Sequence, residues 1–344
     1  AHHSIIRHGQ TVPDASIFAV LSAKIHQDLS PSTLHPLIDD NLNLFRSSLS
    51  APPRPRPTSI LYTSTNMSDP APPPAPVVAV APPPVVRTNK TVLITGANRG
   101  LGLALVQAFA ATPGWSIIGT ARNIDTLPKE LLRMAYALDL NHASHIDNIV
   151  HLLSQYQQQQ QQQAVAGTVP FEIDLVIHNA GFNPKDVKDN SGYFESTFYA
   201  KQFSAANVAE SCRINALHPM ELTGKLLAVP NLMSDTAIVI GISSWLGSIT
   251  TKDFAGHYGY AGSKALFNMC LKGLALEMAK DAEQPFRCAI ALNPGWMTTD
   301  MGGPNAERTP DQVAKAVVEM VSEEGYLRSQ NGKFLNIDRT EHAW

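Results

Sequence analysis

Seven short apolar runs, separated by stretches of helical composition, constrain this chain more than any other feature. They read "TVLIT" (Thr91 to Thr95), "WSIIGTAR" (Trp115 to Arg122), "AYALDL" (Ala135 to Leu140), "IDLVIHNA" (Ile173 to Ala180), "TAIVIGISS" (Thr236 to Ser244), "RCAIALNPG" (Arg287 to Gly295) and "GKFLNI" (Gly332 to Ile337). A strand with one wet face alternates apolar and polar residues, whereas a near-continuous apolar strand is covered on both faces. Strands of that kind alternating with helices predict an α/β domain, a Rossmann-type doubly wound parallel sheet with helices on both faces. The helical stretches include Ser204 to Ala228 and Tyr258 to Lys280. In "TPDQVAKAVVEMVSEE", Thr309 is the expected N-cap and Pro310 the first helical residue.

The alternation occupies 89–344, which reads as a single domain. Residues 1–88 lack any sustained hydrophobic period and carry "APPRPRP" (Ala51 to Pro57) and "PAPPPAPVVAVAPPPVV" (Pro70 to Val86). Proline at that density blocks helix and central strand and favours extended polyproline II. A disordered extension is expected there, a linker or tail, with a ligand for SH3-type or WW-type domains as the functional alternative. Asp14, Asp28, Asp39 and Asp40 argue against a mitochondrial targeting peptide. "MSDPAPPP" at Met67 offers an alternative natural start, with the stretch before it never needing to fold. Inside the domain, "QYQQQQQQQ" (Gln155 to Gln163) reads as an extension of the preceding helix or as the loop after it, without chemistry of its own.

A net charge of −3 and a pI near 6.5 give no reason to expect a nucleic acid or an acidic membrane as partner. No apolar run reaches the ~18 residues of a membrane helix. Cys212, Cys270 and Cys288 are odd in number and not spaced as metal ligands, so free thiols in a reducing, cytoplasmic compartment are expected, and no metal.

"TGANRGLG" (Thr95 to Gly102) joins the first strand to the first helix. Glycines at that junction let the backbone approach a phosphate, and the helix N-terminus supplies free N–H groups. The second strand chooses between nicotinamide cofactors. An acidic residue at its end would bind the ribose 2′-hydroxyl of NAD, whereas arginine accommodates the 2′-phosphate of NADP. Arg122 stands there, and Arg99 adds a second positive charge from the glycine loop, which favours NADP(H).

"YGYAGSK" (Tyr258 to Lys264) sets Tyr260 and Lys264 four residues apart, on one face of a helix, while Tyr258 has only Gly262 at that spacing. Together with "TGANRGLG", "HNAG" (His178 to Gly181), "ISS" (Ile242 to Ser244) and "NPGWMTTDMGG" (Asn293 to Gly303), this order of motifs resembles the short-chain dehydrogenase/reductase family over about Lys90 to Trp344. "PGWMTTDMGG" and "GKFLNID…AW" are most similar to the sniffer-type carbonyl reductases and the bacterial C-factor.

The resemblance implies an NADPH-dependent carbonyl reductase, reversible as an alcohol dehydrogenase. Tyr260 would be the general acid that protonates the carbonyl oxygen. A phenol's ordinary pKa is about 10, and the Lys264 charge would favour the phenolate while Lys264 also held the nicotinamide ribose. Ser244 would hydrogen-bond the substrate oxygen, with Ser243 as runner-up and Ser248 a weaker one. Asn215 would hold a water that relays protons to Lys264. Gly96, Asn98, Arg99, Gly100, Leu101, Gly102 and Arg122 would bind the cofactor. Asp139 would contact the adenine, and Asn179, Ala180 and Gly181 the adenosine ribose side. Pro294 and Gly295 make the turn before Thr299, which would bind the carboxamide. The pocket for a small carbonyl or alcohol substrate would be lined by Phe182, Trp245, Leu246, Trp296, Met297 and Met301.

The chain departs from the family in three places. His178 stands where relatives often have Asn and is expected only to pack. Ser244 and Tyr260 lie further apart than usual, the extra residues falling in "WLGSITTKDFAGHYG". The tail reads "HAW" where relatives often have Pro before the Trp. Family members are commonly homodimers or homotetramers. The rival reading is a non-enzymatic NADPH-binding sensor, which would keep the glycine loop but could lose the Asn-Ser-Tyr-Lys set.

Overall fold

The strands appear where the apolar runs lie: β1 Lys90–Ile94, β2 Trp115–Ala121, β3 Met134–Ala137, β4 Ile173–His178, β5 Met233–Ile242, β6 Cys288–Asn293 and β7 Phe334–Asn336. The computed structural model describes residues 89–164, 169–186 and 192–344. The expectations for 1–88 lie outside the described residues.

All seven strands join one parallel sheet in the order β3-β2-β1-β4-β5-β6-β7. Successive side chains of a strand point to opposite faces, so Val92 and Ile94 enter one core and Leu93 the other. The first core is closed by α1 (Gly100–Ala110) and α7 (Pro310–Ser322), through Leu101, Leu105, Phe109, Val313, Val317 and Met320. The second is closed by α2 (Ala143–Gln162), α5 (His218–Ala228) and α6 (Tyr260–Met278), through Ile146, Ile149, Leu222, Leu226, Phe267 and Leu271. Burial on both faces is why the runs are apolar throughout. Short helices α3 (Tyr193–Phe198), α4 (Ala205–Cys212) and α8 (Tyr326–Ser329) complete the set.

Thr309 caps α7 through a full capping box with Gln312, and Pro310 is its first residue. The glutamine run extends α2 to Gln162; Gln157 is buried and donates to Asn231 O at 2.5 Å. The stretch expected as one helix over 204–228 is α4 and α5 joined by a π-helical segment, Arg213–Leu217. A π segment inserts a residue into the helical ladder, and such segments concentrate at functional sites. Asn215 sits in this one. No helix among the described residues is long and apolar enough to cross a membrane.

The strand order reverses direction between β1 and β4. In an open parallel sheet the crevice at such a switch point, beyond the carboxyl ends of the strands, is the ligand site.

Candidate active site

Thr95 closes that switch point. Its buried hydroxyl accepts from the N–H groups of Asn179 and Ala180, both at 3.0 Å. The Asn179 amide donates to Thr95 O (3.0 Å) and Gly96 O (3.1 Å), tying the end of β4 to the glycine loop. Gly96 (φ +66°) and Gly100 (φ +51°) occupy the left-handed region that other side chains rarely adopt. A Cβ at Gly102 would lie 1.9 Å from Gly96 O. Gly102 is therefore buried under the loop and does not line the cleft. The missing side chain lets α1 pack close against the glycine loop.

A cleft of about 1860 Å³ runs from this loop across the carboxyl ends of the strands. That exceeds the roughly 300–1,000 Å³ of an ordinary small-ligand pocket and suits a dinucleotide together with a substrate. Gly96, Asn98, Arg99, Gly100, Leu101, Arg122, Asp139, Asn179, Ala180, Gly181, Pro294, Gly295 and Thr299 line it, as do Ser244, Tyr260 and Lys264 and the expected wall residues Phe182, Trp245, Leu246, Trp296, Met297 and Met301. Asp139 also turns its carboxylate to Asn141 N at 2.9 Å.

Arg122 stands exposed at the end of β2. Arg99 differs from expectation, because its guanidinium is held by Asp300 at 2.6 Å across the cleft mouth. Thr299, beside Asp300, packs on the glycine loop: its Cγ2 lies 3.3 Å from where a Gly100 Cβ would be.

Tyr260 opens α6, half-buried, and Lys264 follows one turn later with 3% of its surface exposed. The Lys264 ammonium donates to Ile242 O at 2.7 Å and lies 5.8 Å from the centre of the Tyr260 ring. Burial pushes its pKa down to about 8.

The three serines separate cleanly. Ser243 Oγ is 2.5 Å from Asn268 Oδ1, in the core. Ser248 donates to Trp344 O (3.1 Å) and does not line the cleft. The Ser244 hydroxyl accepts from Leu246 N at 3.2 Å, and Ser244 lines the cleft, as Tyr260 does.

Asn215 is buried behind the cleft wall rather than lining it. Its amide donates to Phe182 O (2.7 Å) and Ser263 Oγ (2.9 Å), and its Oδ1 accepts from Phe182 N (2.7 Å). The side chain thereby ties the π-helical segment to α6 and to the segment after β4. His178 packs as expected: Nε2 is 2.6 Å from Thr223 Oγ1, and burial, with the Lys264 charge, pushes its pKa down to about 3.

Sequence reasoning missed several lining residues. His257, two residues before Gly259, adopts φ +62° and packs tilted against Phe198 (centres 4.2 Å apart) and edge-on to Phe254 (5.5 Å). Tyr193 donates to Glu210 at 2.6 Å. Neither carries a motif; only the added length of "WLGSITTKDFAGHYG" pointed towards His257. Asn293 was also missed as a support: its Oδ1 accepts from Trp245 N (3.0 Å) and Gly295 N (3.2 Å), joining two parts of the wall.

Known proteins agree with this geometry. The family model "short chain dehydrogenase" matches residues 90–310. "Short chain dehydrogenase gsfK" of Penicillium aethiopicum is 31% identical over 282 residues, 74% of this chain and 99% of that protein. The "C-signal" protein of Myxococcus xanthus is 29% identical over 140 residues, 40% of this chain and 80% of its own length. Among solved structures, the carbonyl reductase Sniffer of D. melanogaster superposes with a TM-score of 0.59 at 25% identity, covering 74% of this chain and all of that one (100%). With the glycine loop, the parallel sheet and the Tyr260–Lys264 pair in the family's order, this chain belongs to the short-chain dehydrogenase family and is an oxidoreductase by descent.

Proposed function

We propose that the chain is an NADP(H)-dependent carbonyl reductase that converts an aldehyde or ketone to the alcohol, reversibly. The observation that carries this reading is that Ser244, Tyr260 and Lys264 line the same cleft as the glycine loop, with the Lys264 ammonium 5.8 Å from the centre of the Tyr260 ring. The residues present fit a dinucleotide. Gly96 and Gly100 hold backbone that a side chain would strain, and Arg122 is free of an acidic neighbour at the end of β2. Gly96, Asn98, Gly100 and Leu101 would cradle the phosphates, Arg122 would face the 2′-phosphate, and Thr299 would hold the carboxamide. When bound, NADPH supplies the hydride.

The chain's own groups handle the proton. The Tyr260 hydroxyl gives its proton to the carbonyl oxygen as negative charge grows there. The Ser244 hydroxyl donates a hydrogen bond to the same oxygen. The Lys264 charge, one helical turn on, favours the phenolate left behind. Phe182, Trp245, Leu246 and Trp296 line the cleft and would shield the reacting end once a substrate covers them. These apolar and aromatic walls support a partly hydrophobic carbonyl compound as substrate, and the similarity to Sniffer, itself a carbonyl reductase, supports the reaction type.

Cys212, Cys270 and Cys288 are free thiols, which suits a cytoplasmic site of action. The outward face of α6 bears Met269, 70% exposed, and Leu276, 53% exposed; this supports pairing with a second copy, to be tested by light scattering.

The decisive experiment is turnover of a panel of carbonyl compounds with NADPH, read by loss of cofactor absorbance, for wild type and Tyr260→Phe. Wild type should turn over and the variant should lose at least ~10²-fold in kcat while still binding NADPH. Undiminished turnover by Tyr260→Phe overturns the reading. NADPH binding without turnover of any carbonyl by wild type would favour the sensor.

A further inference from the structure

The chain reverses after β7 through a tight turn. Asn336 N donates to Thr340 O at 2.8 Å, and Arg339 adopts φ +73°, uncommon for a residue with a side chain. Segment 341–344 then runs back along β7, with an antiparallel bridge between Leu335 and Glu341 and a bond from His342 N to Phe334 O at 2.7 Å. This path carries Trp344 onto Phe334, the two rings stacked with centres 5.5 Å apart. The Trp344 main-chain oxygen accepts from Thr250 N at 2.8 Å and from Ser248 Oγ at 3.1 Å.

The loop it reaches begins at Ser244. Gly247 N donates to Ser244 O (2.8 Å) and Ser248 N to Trp245 O (3.0 Å), so 244–248 is one hydrogen-bonded turn. Its inner side rests on α6: a Cβ at Gly247 would lie 2.9 Å from the Lys264 main chain. Its outer side rests on Trp344. Neither Trp344 nor Ser248 lines the cleft, whereas Ser244, Trp245 and Leu246 do.

We propose that Trp344 is a positioning residue for the substrate wall: by clamping Ser248 and Thr250 against β7, it sets where Ser244, Trp245 and Leu246 stand in the cleft. The proposal rests on the reductase reading. The clamp sits on edge strand β7, and β4, β5 and β6 separate that strand from β1, which the glycine loop follows, so it should act on substrate and not on cofactor.

Trp344→Ala removes the stacked ring that locates the residue's main-chain oxygen, and Trp344→Phe keeps a ring. With a carbonyl substrate that wild type reduces, Trp344→Ala should raise KM about tenfold, the equivalent of one or two net hydrogen bonds. It should change kcat far less, leave NADPH affinity unchanged and speed amide exchange at Thr250. Trp344→Phe should restore most of the KM. Wild-type KM and wild-type exchange at Thr250 in Trp344→Ala would overturn the proposal, as would equal losses of cofactor affinity and kcat, which mark general destabilisation. If Trp344→Ala does not fold, Ser248→Ala, which removes one of the two bonds, should reproduce the KM rise, and an unchanged KM there overturns it. A wild type that reduces no carbonyl sinks the reductase reading instead; exchange at Thr250 then decides the clamp alone.

Discussion

The Lys264 ammonium, 3% exposed, donates to the main-chain oxygen of Ile242 at 2.7 Å, so the last residue of β5 anchors the cation of α6. Burying an ammonium is unfavourable unless it is compensated, and the pKa near 8 records that burial. The proposed reaction gives such a cation a use in chemistry rather than in stability.

Lys264→Met should therefore separate the two. Removing a buried charge in favour of a packed apolar chain is often neutral or stabilising, against about 1 kcal/mol for the lost bond to Ile242 O. Thermal unfolding should shift by only a few degrees while turnover falls at least ~10²-fold. A large fall in melting temperature would make the lysine structural.

The serines make opposite expectations. Ser244→Ala should lower kcat at least ~10²-fold with little change in stability, by analogy with loss of one oxyanion donor. Ser243→Ala leaves Asn268 Oδ1 buried without its 2.5 Å partner, which should destabilise by about 1–3 kcal/mol with kcat nearly intact. Urea unfolding and steady-state rates on both variants check this.

Cofactor preference should depend on Arg122, and more weakly on Asp300. Arg122→Asp should reverse or remove the preference for NADPH over NADH, because a carboxylate repels the 2′-phosphate. Asp300→Asn releases Arg99 from an exposed pair worth at most ~1 kcal/mol, so NADPH should bind up to about fivefold more tightly at low salt. Fluorescence titration at two salt concentrations measures both effects. Equal wild-type affinity for the two cofactors would remove the basis of the assignment.

His178 should shape the acid limb of stability. Its folded pKa, about 3, lies below the ordinary 6.5. Between those values the unfolded chain binds a proton that the folded one does not, so stability falls as pH drops, by about 1.4 kcal/mol per pH unit for one proton. Above 6.5 neither state is protonated and the effect vanishes. His178→Asn should flatten the slope between pH 6.5 and the acid transition, as read by denaturant midpoints at pH 7 and pH 5. An unchanged slope would mean that the ring titrates normally in the folded protein.

What could be read from the chain alone was local or repetitive. Apolar runs covered on both faces imply a parallel sheet, because only crossover helices supply both covers. Tyr260 and Lys264 meet because four residues make about one helical turn. Thr309 caps α7 through its own neighbour Gln312. What only the tertiary structure decided lies between elements far apart in sequence. Asn215 brackets Phe182 because the π segment and the end of β4 meet across α6. Arg99 meets Asp300 because the loops after β1 and β6 both leave the carboxyl ends of a parallel sheet, and Thr250 meets Trp344 because the chain folds back along β7. Adjacent serines of one strand end take opposite fates because their side chains leave opposite faces, and which face holds Asn268 is set by how α6 packs. Composition and spacing carry no record of such pairings, since each depends on the register of elements that fold together.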